Sequence, residues 1–428
     1  MSRTLDSVLR TVADNAIEMQ REDGSLPAGR NGPHDDQETP VRNTSHYLFL
    51  FTRLFQHTQE STYKDAAEKA SQYLLSSDAR PHGYTFHHRD SPVKDSCNGI
   101  IGQAWTIEAI AEAGHVLEIP ELLEVAEEVF LLHPFDEPLG LWKRVETDGG
   151  VLCFDSTFNH QLWFAAAGGL LSTHDTVDPE VERRVLHFLN KVESQIHVDE
   201  SGLIGITTRP PYDMWPYVAR TDRRARLLLI LLAGRMPLKD STLIRNAILD
   251  YTPISRIPST SAKAHEKKVG YQSFHLYGFG ILKERYPTHS LWAAPWLERA
   301  FETVTSDRFV RELQHSGYGY PYNVAGIELA YALDVFDRGS SEIQEEWLSR
   351  QFETCWDEAS ETFARNNPDP ETLTARMYEA TRLSDWSLEV SSERRRDVDA
   401  IGVDAVGGDA IGGGTVDGDA VDGDTVVR

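Results

Sequence analysis

Lysine is scarce in this 428-residue sequence: 10 residues against 32 arginines, beside 67 acidic side chains and a formal net charge of −25. So negative a chain has no positive field for general binding to nucleic acid or to anionic lipid, and neither is expected as a partner. Cysteine is nearly absent. Cys97, Cys153 and Cys355 are odd in number and lack C-x-x-C spacing, which argues against a disulfide framework or a zinc site and fits a reducing compartment. No apolar run reaches the roughly 18 to 20 residues of a membrane span, and the N-terminal MSRTLDSVLRTVADNAIEMQ has no signal-peptide core. A cytoplasmic protein without stable membrane insertion is therefore expected. Gly102 and the pair Gly168–Gly169 fit no phosphate-loop or dinucleotide pattern, and no histidine pair has the H-x-x-x-H spacing of a helical zinc site, so no cofactor and no metal is expected. The acid surplus itself suits a high-salt, halophilic cytoplasm, where screening over a few ångströms makes dense negative charge tolerable.

What the sequence does contain is helical periodicity, repeated. Six segments, starting near Asn43, Asn98, Asn159, Tyr217, Tyr271 and Asn323, share one layout: a polar or aromatic start, a strongly apolar helix, a short break and an amphipathic helix. Each hairpin needs neighbours on both sides to bury its apolar helix, which suggests a closed ring; an all-α (α/α)6 toroid is expected rather than an open solenoid because six is the number of hairpins in the common α/α-toroid folds, an analogy of fold. The toroid is expected to span residues 1–390, with residues 1–42 supplying an N-terminal helix and the polar loop GSLPAGRNGPHDDQETPVR. Residues 391–428 are rich in Gly and Asp and free of aromatics from Asp397 onward, and read as a disordered tail. Their Gly/Asp rhythm is similar to calcium-binding β-roll repeats without keeping the nine-residue register.

In a closed ring the inner helices run parallel, so their N-terminal ends gather on one face. Those ends carry Arg42, Asn43 and His46; Asp95 and Asn98; Asp155, Asn159 and His160; Trp215, Tyr217 and Arg220; Tyr271 and His275; and Tyr318, Tyr320, Tyr322 and Asn323. Trp105 and Trp163 lie further along their helices, and the connecting loops add Asp35, Asp36, Glu38, His87, His88, Arg209 and Tyr212. Polar groups mixed with Trp and Tyr suit a sugar, which presents hydroxyl edges and C–H faces. Asp95 in KDSCNG and Asp155 in FDSTFNHQ occupy equivalent places one hairpin apart, where two carboxylates could divide into acid and base. The alternative is that both are N-cap aspartates. His46, His160 and His275 sit three or four positions into their expected helices and could exchange protons near neutral pH, or simply pack. Arg42, Arg209 and Arg220 could hold an acidic sugar through bidentate contacts, or pair with surface acids.

At GPHDDQETPVRNTSHYLF and CNGIIGQAWTIEAI the sequence resembles the AglQ-like family of haloarchaeal gene clusters for N-glycosylation of surface-layer glycoproteins, over all six hairpins. More remotely the layout is similar to the α/α-toroid sugar enzymes, including unsaturated glucuronyl hydrolases and N-acylglucosamine 2-epimerases. The resemblance implies work on a lipid-linked or nucleotide-linked glycan containing hexuronic acid, on the cytoplasmic side of the membrane, in surface-layer biogenesis. Isomerising or epimerising the uronic acid suits an assembly pathway; hydrolysis of the glucuronyl hydrolase type, where two aspartates one hairpin apart serve the reaction as Asp95 and Asp155 would, and non-catalytic glycan binding remain open. The further candidates for contacting the sugar are Arg42, Asn43, Asn98, Trp105, Asn159, Trp163, Arg209, Trp215, Tyr217, Tyr318, Tyr320 and Asn323.

Overall fold

Two kinds of helix alternate along the chain, and their burial follows from their composition. The computed structural model describes residues 2–91, 94–208 and 262–392. Within these, α1 (Leu5–Met19), α3 (Ser61–Leu75), α5 (Pro120–Leu132) and α7 (Pro179–Gln195) are amphipathic; α3, for example, buries the single stripe Tyr63, Ala66, Ala67, Ala70, Tyr73 and Leu74. By contrast α2 (Val41–Thr58), α4 (Gly99–Val116) and α6 (Phe158–Leu171) are buried almost all round, without a break from Val41 to Thr52 in α2 and from Gly99 to Ala111 in α4. Helices α8 (Ala262–Arg285) and α11 (Ala325–Val335) are inner helices of the same kind, covered by α9 (Pro295–Val304), α10 (Asp307–Gln314) and α12 (Ser341–Cys355). Helix starts are fixed locally: Asp178 accepts from the Glu180 amide ahead of Pro179, and Ser306 accepts from Phe309.

The inner helices pack in the order α2, α4, α6, α8, α11, and the 3-10 turn Arg376–Arg382, which follows α13 (Pro370–Ala375), closes the ring between α11 and α2. The architecture is the expected α/α toroid, but the register of its hairpins differs. Helices α6 and α8 are direct neighbours, with Trp163 stacked on Phe274 at 4.5 Å between ring centroids. The N-terminal helix α1, expected as an extra element, packs as the outer partner of the closing turn and of α2. The expected fourth hairpin, with Arg209, Tyr212, Trp215, Tyr217 and Arg220, lies outside the described residues, as does the tail after Ser392.

Strands are few among the described residues. Strand β1 (Ser2–Thr4) pairs antiparallel with the segment Glu389–Ser391, Arg3 opposite Val390, so the two ends of the described chain are tied together. Strands β2 (Phe135–Asp136), β3 (Leu141–Val145) and β4 (Val151–Phe154) form an antiparallel sheet between α5 and α6 that carries Arg144 towards the inner-helix ends. No helix among the described residues is long and apolar enough to cross a membrane.

Candidate active site

A cavity of about 180 Å³ opens where the inner helices begin. Its wall takes Asn31, His34 and Asp36 from the loop before α2, Arg42 from α2, Arg89, Lys94 and Asn98 from the segment before α4, and Ile101 and Trp105 from α4. Thr157, Asn159 and His160 come from α6 and its approach, Lys267, Tyr271 and Phe274 from α8, and Tyr322, Asn323 and Arg376 close the circle. Of the residues expected to touch substrate, Arg42, Asn98, Trp105, Asn159, His160 and Asn323 therefore line it.

Asp95 and Asp155 do meet, and their meeting point is the start of α4. Asn98 and Gly99 take left-handed conformations there, φ 55° and 62°. This turn presents the Gly99 amide to Asp95 Oδ1 at 2.8 Å and the Ile100 amide to Asp155 Oδ2 at 3.2 Å. A side chain at 99 would be strained by the positive φ, and its Cβ would fall 2.4 Å from Asp155 Oδ2 and 3.0 Å from His160 Nδ1, so glycine is what lets the second carboxylate approach.

The chemistry of the pair differs from the expectation of a shared acid and base. Asp95 is clamped between Arg89 (Nη2–Oδ1, 2.8 Å) and Arg144 (Nη1–Oδ2, 2.7 Å). Burial alone would raise its pKa, but the two guanidiniums win and hold the carboxyl well below the usual range, so it carries no proton to donate. Asp155 likewise ends below its ordinary value, burial being outweighed by His160 and Arg144. Neither aspartate lines the cavity; each bonds a neighbour that does. Asp155 accepts from the Thr157 amide on Oδ1 and from His160 Nδ1 on Oδ2 at 2.8 Å, which fixes the imidazole with its proton on Nδ1 and leaves Nε2 unengaged among the described residues.

The other two histidines are corrected. His46 is buried, stacked on Tyr378 at 4.7 Å and edge-on to Trp105, and burial followed by Arg42 and Arg376 drives its pKa far down. His275 is completely buried with neither ring nitrogen bonded among the described residues, its pKa pushed down to about 3 by burial; it sits three turns into α8, which begins nine residues before the expected start at Tyr271. Three substrate-contact expectations fail similarly. Asn43 turns away to hold the Pro27 carbonyl, Trp163 is a core residue donating to the Phe274 carbonyl, and Tyr320 is buried against Cys355. Tyr318 stands behind the wall, its ring packed with His34, Tyr271 and Tyr322.

Sequence reasoning passed over His34 and Arg376 on the wall and named Asp36 only as a loop residue. His34 Nε2 contacts Tyr271 Oη at 3.1 Å, and burial, aided by Lys267 and Lys94, pushes its pKa down to about 3. Asp36 accepts from Asn31, Arg89 and Lys94, and ends below its ordinary value despite burial. Arg376 reaches up from the closing turn, bonded to Glu328, Glu379 and Asn323. Arg42 pairs with Glu38 at 3.0 Å, lies 4.1 Å over the Trp105 ring, and keeps Nη2 buried without a partner among the described residues, as does Asn159 its Oδ1. The cavity thus offers a guanidinium, an amide, an apolar face and a carboxylate-oriented histidine.

No protein-family model matches the chain. Archaeal glycosylation protein Q of Haloferax volcanii is 40% identical over 385 residues, covering 90% of this chain and 99% of its own. Among solved structures, cellobiose 2-epimerase from Spirochaeta thermophila superposes with a TM-score of 0.57 at 13% identity over 88% of this chain and 96% of its own. An inactive α-1,6-mannanase variant of a Salegentibacter species, in complex with α-1,6-mannotetrose, gives 0.52 at 10% identity over 89% and 99%. Identities this low show a shared fold, whereas 40% across nearly the whole of both chains shows kinship: the protein belongs to the archaeal glycosylation protein Q family.

Proposed function

We propose that the chain processes carbohydrate in glycoprotein glycosylation, epimerising or isomerising a hexuronic acid of a glycan on a lipid or nucleotide carrier. The observation that carries this reading is His160 on the cavity wall with its Nδ1–H held by Asp155. Nε2 is then a base able to take a proton from the carbon beside the sugar carboxylate, and Asp155 stabilises the imidazolium that results. The charge that develops on the sugar oxygens is stabilised by the Arg42 guanidinium on the cavity wall. Tyr271 Oη gives a proton to the other face of the carbon and is reprotonated from water through His34, a relay that burial keeps uncharged, while His160 returns its proton to water, which completes the epimerisation. Trp105 supplies a face for the ring's C–H side. The cavity is smaller than the roughly 300–1,000 Å³ typical of drug-sized ligands, which suits one sugar ring.

The hydrolase reading needs a carboxyl group that can hold a proton beside the scissile bond. Asp36 is the one carboxylate on the wall among the described residues, and with Asp95 and Asp155 it is held ionised, which favours proton transfer by histidine. A purely binding toroid would have no use for an oriented imidazole. The test is to incubate the purified chain in D2O with glycan from a deletion strain. Epimerisation puts carbon-bound deuterium into the uronic acid; hydrolysis frees a sugar without it, and binding changes nothing.

A further inference from the structure

Among the described residues five fixed cations reach the cavity wall, and four of them are matched: Arg42 by Glu38, Arg89 and Lys94 by Asp36, and Arg376 by Glu328 and Glu379. The fifth is Lys267. It is half-buried, and among the described residues its ammonium has no acid and no hydrogen-bond acceptor, only the faces of Tyr271 and Tyr318 at 5.5 and 5.6 Å. Burial, and after it the repulsion of Lys263 and Lys94, lower its pKa. In a chain with 67 acids and 10 lysines, a half-buried lysine facing a cavity without a counter-charge is costly unless a ligand brings one.

We propose that Lys267 holds an anionic group of the bound sugar, a carboxylate or a phosphate, and thereby selects acidic over neutral sugars. This rests on the reading of the cavity as a sugar site. The two tyrosines hold the ammonium by cation–π contact in the free protein, and His34, kept neutral, adds no competing charge. The ligand's anion completes the set. Lysine rather than arginine fits a single-point contact with either anion.

The test titrates the full chain with D-glucuronate, with its uncharged amide D-glucuronamide, and with D-glucose 1-phosphate, following tryptophan fluorescence, since Trp105 is on the wall. In the wild type at least one anion should bind on the order of tenfold to hundredfold more tightly than the amide, and the one preferred identifies the source. Lys267→Met should remove that preference and leave the amide's affinity unchanged, and Lys267→Gln should behave alike. If the wild type binds anions and amide equally, or if folded Lys267→Met keeps the preference, the proposal is overturned while the sugar site stands. If no sugar binds the wild type, both fall. The acid–amide comparison needs no variant, so a folding defect in either substitution leaves it intact.

Discussion

On the α4–α6 side of the cavity the groups are already paired: Asp95 lies between Arg89 and Arg144, and Asp155 accepts the Nδ1 hydrogen bond of His160. On the α8 side Lys267 has, among the described residues, only aromatic rings, and His34 and Tyr271 bond as neutral partners. The first wall is finished before substrate arrives, which is what proton transfer by a fixed imidazole requires; the second is finished by the substrate. Preorganisation and recognition are thus divided between two walls of one cavity.

The comparison breaks most sharply at Asp155. Asp155→Asn keeps the shape but removes the charge that orients and stabilises His160, so glycan processing should drop by about 10²- to 10⁴-fold with folding retained, measured as turnover and as circular dichroism. Capping alone would leave Asn nearly silent, because Asn caps as well as Asp. Next in size is the clamp. Arg144→Met takes one of two cations from a buried carboxylate and should cost about 1.5–3 kcal/mol in denaturant unfolding, whereas Lys267→Met, which breaks no ion pair, should cost far less. Gly99→Ala should cost about 1–2 kcal/mol through its left-handed φ and also slow turnover, as the methyl separates Asp155 from His160.

The smallest effects are in pH. Asp95 has a lowered folded pKa, so its contribution is present above the ordinary aspartate value of 3.8 and is lost as pH falls below it; Arg144→Met should flatten that acid loss. The ring interior has the inverse stoichiometry, one Arg376 between Glu328 and Glu379, and burial raises both carboxyls. Stability from Glu379 is present below the ordinary glutamate value of 4.5 and lost as pH rises from there towards the raised folded value. Glu379→Gln should therefore flatten the alkaline side of a melting-temperature profile and leave the acid side unchanged.

The toroid was legible because its signal is repeated: apolar helices buried all round alternate with striped ones, and few other folds bury such pairs. The site was legible where a residue's distance from a helix start could be read, as for Asn98, Asn159 and His160. It was illegible where that start was misjudged. Tyr271 seemed to open α8, which placed His275 one turn in and hid Lys267, although α8 already runs from Ala262. Contacts from distant segments left no local trace: nothing near His46 announces that Tyr378 will cover it, or that Arg376 will come back to the wall. Two signals were present but unused: His34, beside the loop aspartates that were named, and, in a lysine-poor chain, Lys94 and Lys267.

If His160, held by Asp155, moves the proton, its loss should stop conversion in the cell. His160→Gln placed in a deletion strain tests this through the configuration of the uronic acid in the surface glycan, determined by mass spectrometry and sugar analysis. A folded, normally abundant variant should leave the sugar unconverted, as in the deletion strain; a wild-type glycan would show that His160 does not move the proton.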